Sequence, residues 1–265
     1  MKFQLKKIAA VMALALVFTA CSKDDDALGG AGALGLEFDT VFGTSNLILN
    51  TQTNTTSQGE NLKISDVKYI VSNIVLTNAD GSTFTYPKSQ SYFVVDESNI
   101  ASQTIELTNI PSGNYTKVKF GIGVDQTQFN LGASGQGDFL TKAQDAGMMW
   151  SWSAGYKFVL FEGVFSSATV ANDTSFMVHT GQTGTAYNYT EITLDLPQQA
   201  TVRTNVSPDI HIFADVAKII DGTNKVKFSD NTMGGMGAMI MGGANLPLIT
   251  SNLSEMFTVN HVHND

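Results

Sequence analysis

Residues Leu62–Leu76, LKISDVKYIVSNIVL, settle the fold class. Ile64, Val67, Ile70, Val71, Ile74 and Val75 are β-branched, stiff at χ1 and suited to a pleated surface, so the stretch reads as a strand. Asn78-Ala79-Asp80-Gly81 follows as a hairpin-type turn, and Ser82 to Tyr86 reads as the returning strand. Upstream, Leu36-Glu37-Phe38-Asp39 alternates apolar with acidic, the period of a half-buried strand.

Downstream the same signature recurs. Short β-type runs at 91–95, 102–107 and 116–122 are separated by turn residues, and Ile110-Pro111-Ser112-Gly113-Asn114-Tyr115 is a Pro-x-Gly turn. Further strands are predicted at 157–164, 175–179, 189–196, 207–216 and 255–263. The middle third is Gly- and Ala-rich, and FLTKAQDAG within it predicts one or two helical turns. Residues 214–220 and the Met-rich stretch near the end read as helix or loop. No repeat of 20–50 residues is visible, which argues against a propeller or solenoid. The expectation is an all-β protein, an antiparallel β-sandwich of immunoglobulin-like or jelly-roll-like type with a few short helical turns, in one domain over residues 35–265.

The N-terminus carries Lys2, Lys6 and Lys7 before an apolar run from Ile8 to Phe18, the build of a secretory signal over residues 1–20. Cys21, the only cysteine, follows Ala20 and has no internal partner for a disulfide. The arrangement resembles a bacterial lipoprotein signal, whose cleavage leaves a diacylated, palmitate-bearing cysteine. Lys23-Asp24-Asp25 resembles the export tag of surface lipoproteins, and it equally suits a solvated acidic linker. Residues 21–34, ending in ALGGAGAL, read as lipidated cysteine and flexible stalk. The expected location is the outer membrane, on its periplasmic side or at the cell surface.

The segment 1–20 holds three lysines and no acidic residue, so its removal moves the formal charge from −9 to −12. Such a chain will not grip nucleic acid by counterion release. It is repelled by anionic lipid, which leaves an acyl anchor to hold it at a membrane. Signatures of catalysis are missing: there is no Gly-x-Ser-x-Gly elbow, phosphate loop or His-Glu-x-x-His. Gly132–Gly137 and the Met233 stretch are Gly-rich but lack the spacing of a phosphate loop. Glu191 and Asp195 are a carboxylate pair of a kind any acidic β protein offers. We read a binding protein, not an enzyme.

The metal-ligand inventory is more informative. Four histidines occur. His261 and His263 stand two apart in the closing stretch FTVNHVHND, where a strand would put both on one face within reach of one ion. His179 falls at a predicted strand end, a usual place for a site. His211, between Ile210 and Ile212, faces away from them and reads as structural. Met233, Met236, Met239 and Met241 offer soft thioethers that, with imidazole, favour copper(I), or else fill irregular gaps.

Trp150-Ser151-Trp152-Ser153-Ala154-Gly155-Tyr156-Lys157-Phe158 followed by Glu162-Gly163 resembles the W-x-W-x-x-G-Y-K-F signature of the MbnP-like family, named after a methanobactin-associated copper-binding protein. Asp66 to Asn73, Ile110 to Tyr115, Gly121-Ile122-Gly123-Val124-Asp125 and His179-Thr180-Gly181 are similar to other stretches of it, from about Leu36 to the C-terminus. The resemblance implies a copper-binding β domain whose ligands include histidine and, in relatives, a tryptophan oxidised to kynurenine by a partner dihaem oxidase. It leaves open whether Trp150 or Trp152 is that residue, and the two, spaced by one, are expected on one strand face. The expected site combines His179, His261, His263 and one of the tryptophans, in a lipid-anchored copper scavenger, carrier or buffer. A surface adhesin or assembly module binding protein or glycan without metal is the competing expectation.

Overall fold

The computed structural model describes residues 29–170 and 173–265. The expected signal segment, the expected lipidation site at Cys21 and the expected linker as far as residue 28 lie outside the described residues. In chain order the strands are β1 (Ala31–Phe42), β2 (Ser45–Asn46), β3 (Asn54–Thr55), β4 (Asn61–Asn78), β5 (Thr83–Thr85), β6 (Tyr92–Asp96), β7 (Thr104–Pro111) and β8 (Gly113–Ile122). They continue with β9 (Met149–Ser151), β10 (Gly155–Ser166), β11 (Thr174–Thr183), β12 (Ala186–Tyr187), β13 (Thr190–Val202), β14 (Pro208–Asp215), β15 (Ala238–Ile240) and β16 (Phe257–Asn264). Four short helices intervene: α1 (Gln126–Phe129), α2 (Phe139–Asp145), α3 (Lys218–Asp221) and α4 (Asn245–Asn252). Among the described residues no helix is long and apolar enough to cross a membrane.

The strands form two sheets. The larger runs β12-β11-β10-β4-β8-β13, with short strands added to β4, β10 and β11; the smaller runs β16-β14-β1-β2, with β7 also on β1. Most pairs are antiparallel, as expected of a sandwich, and β1–β14 and β11–β15 are parallel. Phe38 and Phe257 from the smaller sheet meet Tyr69 and Phe120 from the larger one, with ring centroids 5.3–5.9 Å apart and edge-on. Such pairs contribute about 0.5–1.5 kcal/mol each beyond the area they bury.

The stretch 62–76 is the spine of the larger sheet, pairing with β10, β6, β5 and β8 along its length. Its early half alternates, with Leu62 and Ile64 buried and Lys63 and Ser65 exposed. From Tyr69 to Ser72 every residue is buried, because the outer face there carries a second apolar cluster. Ile70, Val124, Phe139, Ala143, Met148, Tyr156, Phe158 and Leu160 form that cluster under the 125–150 connection. Asn73 sits at φ 52°, a left-handed conformation that Asn tolerates better than most, where the pairing with β8 shifts register.

One expected boundary moves. The first strand begins at Ala31, inside the segment read as linker, since Leu34 is fully buried and opposite Leu107. Gly32 there serves close approach: an added Cβ would lie 2.2 Å from the Arg203 carbonyl oxygen. The strand expected over 207–216 is β14, and the helix or loop expected over 214–220 begins after it and includes α3.

Candidate metal centre

The tryptophan signature is a hairpin. β9 and β10 pair with Ser151 opposite Gly155, so Trp152, Ser153 and Ala154 are the loop and Gly155, at φ 83°, takes its left-handed position. Trp150 is therefore in a strand and Trp152 in a turn, and the two do not share a face. Trp152 stacks on Phe129, centroids 4.9 Å apart, as a cover of the outer apolar cluster. Trp150 instead lies 6.0 Å from the ring of His179.

His179 is on β11, beside Leu160 of β10, and is 4% exposed. Its Nε2 lies 2.6 Å from Glu162 Oε1, and its Nδ1 is buried with no hydrogen-bond partner. Burial pushes the imidazole pKa down; Glu162 opposes this and Lys157 adds to it. A buried nitrogen without a partner is costly unless something binds it. Gly181 explains the spacing of the His-x-Gly stretch: an added Cβ would meet the Tyr156 carbonyl at 2.5 Å and the Trp150 ring at 2.9 Å. Only glycine lets the indole lie against this strand. Behind Glu162, Asp66 is its register partner on β4, and Lys68 reaches Asp66 and Asp96 at 3.4 Å each. Burial pushes the Asp66 carboxyl up, against the pull of Lys68.

Trp150 also lines an open groove of about 500 Å³ with Gln182, Thr183, Gly184 and Met241. Of the other methionines in the window, Met239 is opposite Met177 in the β11–β15 pair, whereas Met233 and Met236 are exposed.

The terminal histidines lie on the other sheet. On β14, Ile210 and Ile212 are buried and His211 points outward; on β1, Leu36 and Phe38 are buried and Glu37 points outward. Register puts Glu37, His211 and His261 in one row across three strands, and Gly35, Asp209 and His263 in the next. His211 Nδ1 lies 3.0 Å from Glu37 Oε2, and His261 Nε2 2.9 Å from His263 Nε2. The His211 and His261 rings stack at 4.2 Å. One nitrogen from each of the three lies within 4.8 Å of the others. Partial desolvation, then His211 and His263, push the His261 pKa down.

This face depends on an irregularity in β16. Phe257 and Val259 point inward, and plain alternation would send His261 and His263 inward too. The pairing slips between His211 and Ile212, leaving Asn260 as an extra residue, so Val262 enters the core and both histidines turn out.

The structure thus brings His261 and His263 together with His211, which sequence reasoning set aside as structural, and it does not bring them together with His179. Glu37 and Glu162 carried no assigned role in the sequence, although the alternation of Leu36–Asp39 already marked Glu37 as outward. Glu191 and Asp195 are salt-bridged to Lys119 and Lys117 on the neighbouring strand.

A profile of the MbnP family matches residues 31–241. A solved structure, MbnP from Methylosinus trichosporium, aligns over 81% of this chain and 82% of its own at 14% identity, with a TM-score of 0.48. No curated protein sequence matches the chain.

Proposed function

The chain belongs to the MbnP family, and on that premise we propose that it is a copper-binding protein, not a catalyst, that scavenges, carries or buffers copper from a lipid anchor at the outer membrane. The observation that carries this reading is the unpartnered, buried Nδ1 of His179 beside Trp150. A neutral imidazole held by a carboxylate on its far nitrogen is the arrangement in which metal-ligating histidines are usually oriented. Copper bound there as cargo would be held by soft and nitrogen donors. Glu162 fixes the ring and Gly181 admits the indole. Trp150 is the tryptophan suited to oxidation to kynurenine by a dihaem partner, because Trp152 is occupied in stacking on Phe129. Cys21 would carry the acyl chains.

Protein matured beside its own oxidase should retain copper and give a peptide around Trp150 with one carbon exchanged for one oxygen, the mass change of kynurenine. Unmodified tryptophans and copper-free protein would favour the adhesin. Labelling with radioactive palmitate should be lost in Cys21→Ala, and unchanged labelling would remove the anchor.

A further inference from the structure

We propose that the outward face of the smaller sheet is a second, separate metal site, in which His211, His261 and His263 bind one first-row divalent cation such as zinc and Glu37 orients His211. The family profile ends at residue 241, before two of the three ligands.

Three of the four histidines in the chain converge on one spot from two strands that are about fifty residues apart in sequence. Nothing in the core asks for them there: they face outward, and His263 is exposed. With Asn260 in the chain, they face outward only because the ladder passes over it as a bulge, and bulges commonly re-aim side chains at sites.

The geometry is close to that of a bound ion. Nitrogens held by one ion at roughly 2.0–2.1 Å sit at most about 4 Å apart. The 2.9 Å between His261 and His263 is within that limit, and the 4.8 Å span of the whole group needs a movement of about 1 Å. His263 is exposed and His211 and His261 are half-buried on an open face, where small changes of χ angle make such a shift. His211 keeps its Nδ1 on Glu37, which leaves its Nε2 to face the ion and supplies the carboxylate–histidine–metal relay.

Three imidazoles without a carboxylate or thiolate in the group exclude calcium and magnesium, which take oxygen, and suit zinc, nickel or copper(II). With three protein ligands and an exposed rim, a fourth position stays open to water. This contrasts with the closed surroundings of His179.

The test is a zinc titration by calorimetry on the full mature chain, metal-stripped and carrying no polyhistidine tag. One equivalent should bind to the wild type. His211→Gln and His263→Gln should each weaken binding at least about tenfold, and Glu37→Gln several-fold. His179→Gln should leave zinc binding unchanged, which separates failure of this site from failure of the copper reading. Imidazole ¹⁵N resonances of the wild type, read without any substitution, should shift for residues 211, 261 and 263 and not for 179. No zinc uptake by the wild type, full affinity in His263→Gln, or a shift confined to His179 would each overturn the proposal.

Discussion

The chain sets two histidine environments on opposite sheets, and they differ in nearly every physical respect. His179 is enclosed, has one nitrogen on Glu162 and the other unpartnered, and lies against an indole. The 211–261–263 group is open, its rings stack on one another, and its carboxylate sits at the edge. Enclosure raises the cost of leaving a polar atom unmatched and thereby favours one ligand held tightly. Openness leaves water as a competitor and favours exchange. On the two proposals above, the same side chain would serve two kinds of metal chemistry through its surroundings alone.

The strongest way to break this comparison is by metal content. His179→Ala should lower copper at least about tenfold in protein matured beside its oxidase, whereas the double change His261→Ala, His263→Ala should spare copper. Elemental analysis of both reads the result, and equal copper loss would merge the two regions into one site.

Two glycines sharpen it further. At Gly181 the obstacles to a methyl group are a backbone carbonyl and a packed indole, so Gly181→Ala should destabilise the fold by about 1–3 kcal/mol and alter tryptophan fluorescence. At Gly35, beside the exposed histidines, the obstacle is the end of the Asp209 side chain, which can turn away. Gly35→Ala should cost under about 1 kcal/mol. Similar melting shifts for the two variants would show the two regions to be equally rigid.

A further expected difference appears in acid. Burial pushes Asp125 up, but hydrogen bonds from Asn73, Lys88, Tyr92 and the Gln128 amide outweigh it and hold the carboxyl down at about 2. Its folded pKa lies below its unfolded one, so its stabilisation is full above pH about 4 and is lost as the pH falls towards 2, a change of about 2 kcal/mol. Asp125 caps α1, which carries Phe129 against Trp152, so the hairpin should loosen first. Tryptophan fluorescence that stays constant from pH 4 to 2, or an Asp125→Asn variant with the same acid profile, would contradict this.

Much of the architecture was legible because it rests on local signals. The β-branched run of β4, the Pro-x-Gly turn before β8 and the polar stretch that became α2 each show their conformation within a few residues. The tryptophan hairpin was half legible: Gly155 marks a left-handed turn position, and taking it as such would have placed Trp152 in the loop. What local pattern could not give is adjacency. His211 reads as a lone outward histidine until β14 is known to pair with β16, and Glu37 acquires a role only through the parallel pairing of β1. The partition of His179 from His261 and His263 likewise depends on which sheet each strand joins.

The extra residue at Asn260 has a consequence of a different kind. Side-chain parity along β16 is binary, and one inserted amino acid would reverse it for everything that follows unless the strand bulges around that residue, as it does here. Deleting Asn260 would join Val259 to His261, and plain alternation would then keep both histidines outward and Val262 inward, so the deletion should still take up one equivalent of zinc in a titration. In descent, such a bulge lets the strand absorb one inserted amino acid without turning the histidines that follow into the core.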